Sequence, residues 1–414
     1  MRFNVIIFTF ALLHLATPAW GVTFQFRKLV ENSAAIPDGT GSFSRLLRPA
    51  FDGQTVVFEG RGSGDQAGIY TYDLLSGQLQ RVADRNTLSG TDNLIPFDNQ
   101  PSDIDGGKVT FSSTTSPFNQ RVYSDVSGSV QLVADGNTMV PGTASTFDFV
   151  FRPIIDGGSV IFAAQGGGVD GIFSSTGGSL STVIDNSVAI PGHTGNFSDF
   201  FEPDADDGQV VFAGFDGSGH AGIYVTDGAT TDLVADVDTT MPGSAGDFTS
   251  LSDSRIKDGD VVFRGASVTT GVRGAYRWQD GVLDLVADTN TVIPGRSVTF
   301  ANIGDPDISN GNVVFTGTDS SLSNSIVGLY AEIDGTLVEV IEEGGFINGE
   351  SIPFLASDRP DIVGNQIVFV ASSPAFGGEV IYLATIVPEP STYAMAALAL
   401  VGLGLYGWRR RSAR

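Results

Sequence analysis

Short apolar runs of three residues recur along the chain at intervals of about 50 residues. A two-residue turn signal such as Asp52-Gly53 or Asn310-Gly311 precedes most of them, and such pairs favour tight β-hairpins. The seven runs are Val56–Phe58, Val109–Phe111, Val160–Phe162, Val210–Phe212, Val261–Phe263, Val313–Phe315 and Ile367–Phe369. Consecutive apolar residues predict a strand that is buried on both faces, as in a sheet packed between two others.

Further strand signals surround every run. A first strand stands before the turn, often with a phenylalanine and a proline upstream, as in Phe147…Pro153 and Phe354…Pro360. Segments such as Gly222-Ile223-Tyr224 and Leu233–Asp236 follow the run. Four short strands in about 50 residues, without helical periodicity, are typical of a β-propeller blade.

The second residue after each phenylalanine is always small. These residues are Gly60, Ser113, Ala164, Gly214, Gly265, Gly317 and Ala371. A position restricted in this way predicts sheets that converge closely, as they do near the axis of a propeller.

The two ends of the repeat region complement each other. The last repeat ends after Val380-Ile381-Tyr382 without a fourth strand, whereas residues 29–32 match a fourth strand and residues 36–37 the loop that follows it. A ring closed by this strand has no exposed sheet edge. We therefore predict an all-β, seven-bladed propeller of four-stranded blades over residues 22–387, in which the N-terminal strand completes the last blade.

The repeat also resembles the TolB-type propeller repeat. The segment Pro153–Gly157, the run Val160–Phe162 and the pair Ile172-Phe173 follow the pattern of that family, although its tryptophan before the turn is missing. The resemblance covers nearly all of residues 22–387. It implies a propeller fold and says little about function.

The first 21 residues are typical of a secretory signal peptide. Arg2 precedes an apolar stretch from Val5 to Leu15, and the small residues Ala19 and Gly21 suit a signal peptidase. The stretch is short for a membrane span. We expect cleavage, with an uncleaved N-terminal anchor as the alternative.

Residues 388–414 form a second targeting segment. Pro388-Glu389-Pro390 is followed by an apolar stretch from Tyr393 to Trp408 and by the cluster Arg409-Arg410-Arg411. This order resembles the PEP-CTERM sorting signal of Gram-negative bacteria. The resemblance implies recognition by an exosortase-type protease, transient insertion of a short transmembrane helix in the inner membrane, and release to the cell surface or extracellular matrix, often alongside exopolysaccharide production. An ordinary single-pass anchor is the alternative.

Charge and cysteine content narrow the function further. The chain carries a net charge of −25, and both terminal segments are net positive, so the part between them is still more acidic. Such a surface repels nucleic acid, which we do not expect as a partner. The absence of cysteine excludes disulfides and thiol catalysis.

The loops between blades carry the candidate ligand face, because binding surfaces concentrate on long loops of rigid scaffolds. The repeated polar residues there are Asp84, Asn86, Asp135, Asn137, Asp236, Asp238, Asp288 and Asn290. Two interpretations remain open: these side chains hold their own loops by bonding nearby backbone, or their oxygens contact a cation or a sugar. Because the motif recurs in most blades, the structural interpretation is favoured.

No cofactor and no metal site are predicted, with calcium as the open alternative. Residues 204–208 and 305–307 resemble fragments of calcium-binding loops, but neither has the full ligand run. His193 and His220 stand in unrelated loops, where we expect solvated side chains rather than a Ser-His-Asp triad. No catalytic residue is assigned, although a pair of carboxylates remains open.

Three functions follow from these patterns. The favoured one is a non-enzymatic surface or matrix propeller that binds polysaccharide, an envelope protein or other envelope material. The alternatives are a carbohydrate-active enzyme, a glycoside hydrolase or lyase with carboxylates at the channel mouth, and a structural component without a defined ligand.

Overall fold

The computed structural model describes residues 22–63, 66–85, 87–88, 102–115, 119–319, 326–356, 359–373 and 378–388. The chain divides into two compact units, Phe24–Thr385 and a second made of Met1–Thr23 and Ile386–Arg414. The predicted signal peptide and nearly all of the predicted sorting tail lie outside the described residues. Among the residues that are described, no helix is long and apolar enough to cross a membrane.

The larger unit consists of seven successive sheets, the blades, each built mainly from hairpins. The strands of blades 1 to 4, after the N-terminal β1 (Val22–Glu31), are β2 (Phe43–Phe51), β3 (Thr55–Gly62), β4 (Ala67–Asp73), β5 (Leu79–Asp84); β6 (Asp103–Asp105), β7 (Lys108–Thr115), β8 (Asn119–Ser124), β9 (Gln131–Ala134); β10 (Phe149–Asp156), β11 (Ser159–Gly166), β12 (Val169–Thr176), β13 (Ser179–Asp185); and β14 (Asp199–Asp206), β15 (Gln209–Phe215), β16 (Ala221–Thr226), β17 (Thr231–Asp236).

Blades 5 to 7 continue the same order. Their strands are β18 (Ser250–Lys257), β19 (Asp260–Ala266), β20 (Arg273–Gln279), β21 (Val282–Asp288); β22 (Phe300–Ile303), β23 (Asp307–Ser309), β24 (Asn312–Asp319), β25 (Val327–Ile333), β26 (Thr336–Glu342); the hairpin β27 (Phe346–Ile347) with β28 (Glu350–Ser351); and β29 (Asp361–Val363), β30 (Gln366–Ser373), β31 (Gly378–Pro388). In blade 6, β22 and β23 both pair with β24. Pro306, which has no N–H to donate, lies between them.

The N-terminal strand closes the ring as predicted. Blade 7 has the order β29-β30-β31-β1, so β1 is its fourth strand. The N–H of Asn32 donates to the Glu379 carbonyl oxygen at 3.0 Å. The Glu379 carboxylate then reaches blade 1, where it accepts from Leu46 N–H at 2.7 Å and pairs with Arg45 at 2.8 Å. The seven-bladed fold and its closure are therefore confirmed.

The core is a ring of apolar layers between neighbouring blades. Val56 and Phe58 pack against Val368 and Leu383 of blade 7, whereas Val57 packs against blade 2. The same alternation recurs in the next blades, with Val211 facing blade 5 and Val210 facing blade 3. The three-residue runs are buried because each face contacts a different blade, as their sequence predicted.

The small residue after each run has a different cause from the predicted convergence at the axis. In blade 1 the ring of Phe43, the first residue of β2, lies over β3 and against Tyr70, with ring centroids 4.9 Å apart. A Cβ on Gly60 would lie 2.4 Å from Phe43. Equivalent phenylalanines cover Gly214, Gly265 and Gly317. The position is restricted because an aromatic ring at or just before the start of the inner strand occupies the space.

The closing strand can be tested with one buried charge. Val30 is 4% exposed and belongs to the layer that joins blades 7 and 1. We expect Val30→Asp to lower the free energy of unfolding by about 3 kcal/mol or more, because an unpaired carboxylate would replace an apolar contact. Chemical denaturation measures the change.

The matched control is Gln25→Asp, at an exposed position of the same strand. We expect a change within about 0.5 kcal/mol for this surface substitution. Equal effects of the two substitutions would contradict the closing role of β1.

Candidate functional site

The inner strands of the blades surround a central cavity of about 550 Å³. Its lining comes from equivalent positions around one residue of each inner strand, which is proline in five blades and serine in blades 2 and 5 (Ser102 and Ser254). The position after this proline or serine holds Ala50, Asp103, Ile154, Asp204, Arg255, Asp307 or Asp361. Unlike the buried runs, this position differs in chemistry from blade to blade, so the cavity wall is not a repeated surface.

Carboxylates of one inner strand bond to the backbone of the next. Four aspartates after the proline position accept one N–H each from the neighbouring blade: Asp361 from Phe51, Asp103 from Ile155, Asp204 from Ile256 and Asp307 from Ile362, at 2.7–2.9 Å. A second tier lies two residues further along each strand. There Asp52 accepts from Gly107, Asp105 from Gly157, Asp156 from Gly208 and Asp206 from Asp258, at 2.6–3.0 Å.

These contacts account for the two sequence fragments that resemble calcium loops. Asp204 and Asp307 bond to backbone, and Asp206 also accepts from Lys257 Nζ at 2.6 Å. Asp305 pairs with Arg264 at 2.9 Å. Each of these carboxylates thus has a protein partner across a blade boundary, and calcium stays the open alternative to the prediction of no metal site.

Burial and mutual repulsion raise the pKa of the channel aspartates. Burial, helped by the charge of Asp204, raises the pKa of Asp103 to about 7. Burial raises the pKa of Asp307 to about 6. The pKa of Asp361 is raised well above its ordinary value, first by burial and then by the neighbouring Asp307. Arg255 extends among these acids, and its charge counteracts the rise at Asp204.

Four residues at the mouth of the cavity have a strained backbone. The inner strands of blades 1, 3, 4 and 5 each shift register at a bulge. Within these bulges Arg48, Arg152, Glu202 and Asp253 have φ between 48° and 55°. Left-handed backbone costs a non-glycine residue about 1–2 kcal/mol, and bulges with such strain cluster at functional sites.

The mouth has a positive arc and a negative arc. The position before the proline carries arginine in blades 7, 1 and 3 and an acid in blades 4, 5 and 6: Arg359, Arg48, Arg152, Glu202, Asp253 and Asp305. The arcs meet where Arg152 pairs with Glu202 at 2.8 Å. On the negative side, Arg264 bridges Asp253 and Asp305 at 3.0 and 2.9 Å. The mouth therefore presents cations and anions on opposite sides.

The predicted residues of the loops between blades lie outside this cavity wall, and they bond to their own loops. In blade 5, Asp288 Oδ1 accepts from Asn290 N–H at 2.9 Å and from the Thr291 hydroxyl at 2.8 Å. Equivalent bonds hold the loops of Asp84, Asp135 with Asn137, and Asp236 with Asp238. Asn86 lies outside the described residues. These bonds are those of the structural interpretation, and ligand binding at these residues stays a prediction.

The expectation of two solvated histidines in unrelated loops is wrong for His220 and for the separation of the loops, whereas His193 is exposed as expected. The His193 and His220 rings stack with their centroids 3.9 Å apart and their planes 16° from parallel. His220 is only 7% exposed. The two loops are distant in sequence but adjacent in space, because the loop between blades 3 and 4 passes over the loop that joins β15 and β16.

Comparison with known proteins assigns the family. Residues 23–355 match the family described as "Family of unknown function (DUF7453)". This chain belongs to DUF7453. Residues 387–411 match the PEP-CTERM protein-sorting motif, which covers the predicted Pro388, Glu389, Pro390, Arg409, Arg410 and Arg411. The motif implies export, a membrane-anchored sorting intermediate and recognition by exosortase-type machinery.

Solved propellers are similar to this DUF7453 protein at low identity. The β-propeller domain of the Trilobed protease from Pyrococcus furiosus is 11% identical, with a TM-score of 0.49 over 83% of this chain and 94% of that one. The polysaccharide lyase Uly1 is 10% identical, with a TM-score of 0.45 over 87% and 94%. A puromycin-hydrolyzing peptidase from Mycobacterium tuberculosis is 11% identical, with a TM-score of 0.48 over 84% of this chain and 53% of that one, so this chain spans about half the length of that peptidase. No curated protein matches. At these identities and TM-scores, none of the solved structures provides evidence about the function of this protein.

Sequence reasoning missed the channel residues. Asp103 and Asp361 were not singled out, and Asp204 and Asp307 were considered only as parts of fragments that resemble calcium-binding loops. The available signal was variation: within a repeat of steady period, the positions on either side of the proline change charge from blade to blade.

The raised pKa of Asp103 predicts a pH dependence of stability. Between its ordinary pKa of 3.8 and its folded pKa of about 7, the folded protein binds a proton that the unfolded chain releases, so stability falls as pH rises through this window. Asp103→Asn keeps an oxygen that accepts from Ile155 N–H but removes the charge. We expect the variant to be more stable than the wild type at pH 8 by on the order of a few kcal/mol, and the difference to shrink toward pH 5. Denaturation curves at each pH measure both effects.

Asp284→Asn, at an exposed position of β21, is the control for the loss of one charge. Its stability should follow the wild-type pH curve. A parallel curve for Asp103→Asn would contradict a raised pKa at the axis.

Proposed function

We propose that this exported propeller is a non-catalytic binding protein of the cell surface or extracellular matrix, and that the mouth of its channel binds an acidic polysaccharide. The observation that carries the proposal is the change of charge around the mouth. One position of the inner strands, strained in blades 1, 3, 4 and 5, carries arginine on one side and acids on the other. A scaffold alone requires no such difference between blades.

The chemistry of the mouth suits a carbohydrate that carries carboxylates. Guanidinium groups bind carboxylates through paired hydrogen bonds, as a uronic acid would offer, and the acids opposite can accept from sugar hydroxyls. Phe51 is the one aromatic residue among the described residues of the lining. A protein interface usually has an apolar, aromatic centre, so this lining favours a sugar over an envelope protein. The cavity volume lies within the range of about 300–1,000 Å³ that is usual for ligand sites.

Arg359 is the arginine of the mouth that we expect to contact the ligand directly. Its Nε atom is buried and has no hydrogen-bond partner among the described residues. Such an unmatched donor at the edge of a cavity is costly unless a ligand or water accepts from it. Arg48 stands at the equivalent position of the next blade.

The sorting motif supports the location. Proteins with PEP-CTERM tails often accompany exopolysaccharide production, so an acidic polysaccharide of the matrix is the ligand class that we favour. The TolB-type interpretation of the repeat fits this role as a binding scaffold.

A carbohydrate-active enzyme is the second candidate, because one pair of acids has the required chemistry. Asp307 and Asp361 are adjacent at the axis, and the pKa of both is raised, chiefly by burial. Glycosidases use a protonated acid and a second carboxyl group that lie about 5–9.5 Å apart. Asp307 and Asp361 are hydrogen-bonded to each other, so this mechanism would require the two groups to separate when substrate binds. Both groups also accept backbone N–H bonds of the next blade, which ties them to the fold.

The proposal predicts that binding depends on the positive arc. We expect the wild-type protein to bind acidic polysaccharides on a glycan array and neutral ones weakly, and the double variant Arg48→Gln, Arg359→Gln to lose at least about tenfold in affinity, or about 1.4 kcal/mol. Arg273→Gln, at an exposed position of β20 outside the lining, is the control and should bind as the wild type does.

Equal loss in the control and the double variant would show non-specific charge effects and contradict the proposed site. Binding to no glycan would favour the structural role. Release of new sugar ends that stops in Asp361→Asn would favour the enzyme.

A further inference from the structure

Three loops bring His193, His220 and Asp238 together away from the channel. One donor atom from each lies within 4.8 Å of the other two. His220 Nδ1 lies 3.8 Å from Asp238 Oδ2. None of these residues lines the central cavity, so the cluster is independent of the function proposed above.

His220 is a buried imidazole that the protein itself does not satisfy. Its residue is 7% exposed, and its Nε2 atom is buried without a hydrogen-bond partner. Asp236 Oδ2 lies 3.4 Å from this atom, close but outside hydrogen-bonding geometry. The equivalent positions of blades 3 and 5 are Val169 and Val272, so a histidine is not required there by the fold. A buried polar atom without a partner is costly, and a small movement of the ring or of Asp236 would let that carboxylate accept from Nε2 while Nδ1 faces Asp238.

The loops hold the cluster in place. Asp216 Oδ1 accepts from Ser218 N–H and His220 N–H, both at 2.8 Å, which fixes the loop that carries His220. Asp236 Oδ1 accepts from Asp238 N–H at 3.1 Å. The backbone under two of the three donor groups is therefore preorganised by other carboxylates.

Blade 6 contains the same pocket with a cation already in it. Arg296 stands at the position of His193, Asp319 at that of Asp216 and Glu342 at that of Asp236. Arg296 pairs with Asp319 at 3.0 Å and also with Glu342. The fold thus builds a cation pocket between these elements, and in blade 4 two imidazoles replace the guanidinium.

We propose that the pocket of blade 4 binds one divalent transition-metal ion, represented by Zn²⁺, through His193, His220 and Asp238. Two imidazoles and one carboxylate are a usual zinc donor set with one open position, and imidazole disfavours calcium and magnesium. Ligation through Nδ1 of His220 leaves Nε2–H facing Asp236 Oδ2 at 3.4 Å, and a small rotation of the ring or of the carboxylate would complete the carboxylate–histidine arrangement that orients metal ligands. Metal bonds of about 2.0–2.2 Å require the donor atoms to approach each other, which rotation of the His193 and Asp238 side chains allows at the surface.

The experiment is a titration of the full-length protein with Zn²⁺, after removal of metals and in an excess of Mg²⁺ that occupies sites made of carboxylates alone. We expect one Zn²⁺ to bind per chain, and X-ray absorption of the zinc to show two imidazole nitrogens. The chain has 3 histidines, and the third, His14, lies in the predicted signal peptide.

Two variants introduce residues that other blades have at the equivalent positions, so both variants should fold. His193→Arg copies blade 6, and His220→Val copies blades 3 and 5. Each should weaken Zn²⁺ binding at least 100-fold and remove the rise in melting temperature that Zn²⁺ gives the wild type. Asp284→Asn, an exposed acid outside the cluster, should bind as the wild type does.

Absence of a one-to-one zinc complex in the wild type would overturn the proposal, as would a zinc shell without imidazole. Unchanged binding in His193→Arg or His220→Val, with the variant folded, would also overturn it. Failure here would leave the polysaccharide site untouched, because the two sites share no residue.

Discussion

The contact between neighbouring blades is the interaction on which the whole structure depends. No blade can bury both faces of its three-residue run alone, so each requires an apolar layer on either side. Near the axis, where side chains are too crowded for thick apolar layers, carboxylates of one inner strand accept N–H groups of the next. The ring is stable only when every blade has two neighbours, which is why the closing strand matters.

The hydrogen bonds between inner-strand carboxylates and the backbone of the next blade contribute both a stabilising and a destabilising free energy. A hydrogen bond to a charged group contributes about 1.5–3 kcal/mol. Burial of the carboxylate opposes this gain, as the raised pKa of Asp103 and Asp307 indicates. These bonds also determine alignment, because each fixes the position of one inner strand along the propeller axis relative to the next strand. A wall of defined charges around a cavity follows from that alignment.

Residues that recur in most blades hold the scaffold together, whereas residues that differ between blades form the candidate binding sites. The loop aspartates such as Asp135 and Asp288 recur in equivalent places and bond to their own backbone. The channel mouth and the pocket of blade 4 use positions where the repeat departs from itself, as Arg359, Glu202 and His220 do. Binding surfaces of repeat proteins arise in this way, because the fold tolerates substitution at positions that are not needed for packing or for backbone hydrogen bonds.

The sequence predicted the parts of the fold that repeat and few of the parts that do not. The runs, the hairpin turns and the strand order were correct because local periodicity determines them. The reason for Gly60 was not predictable, because the Phe43 ring that excludes a side chain comes from the start of β2, 17 residues earlier in the chain. The pairing of His193 with His220 and the bonds of Asp103 also depend on how blades and loops meet, which single-chain patterns do not encode.

The most direct test of the account is hydrogen exchange of the native protein, followed for β3, β11, β15, β19 and β24. If the blades stabilise one another around a closed ring, these strands should open together with one free energy close to that of global unfolding. Graded protection that falls from one end of the chain to the other would describe an open stack of independent modules, and it would contradict the account.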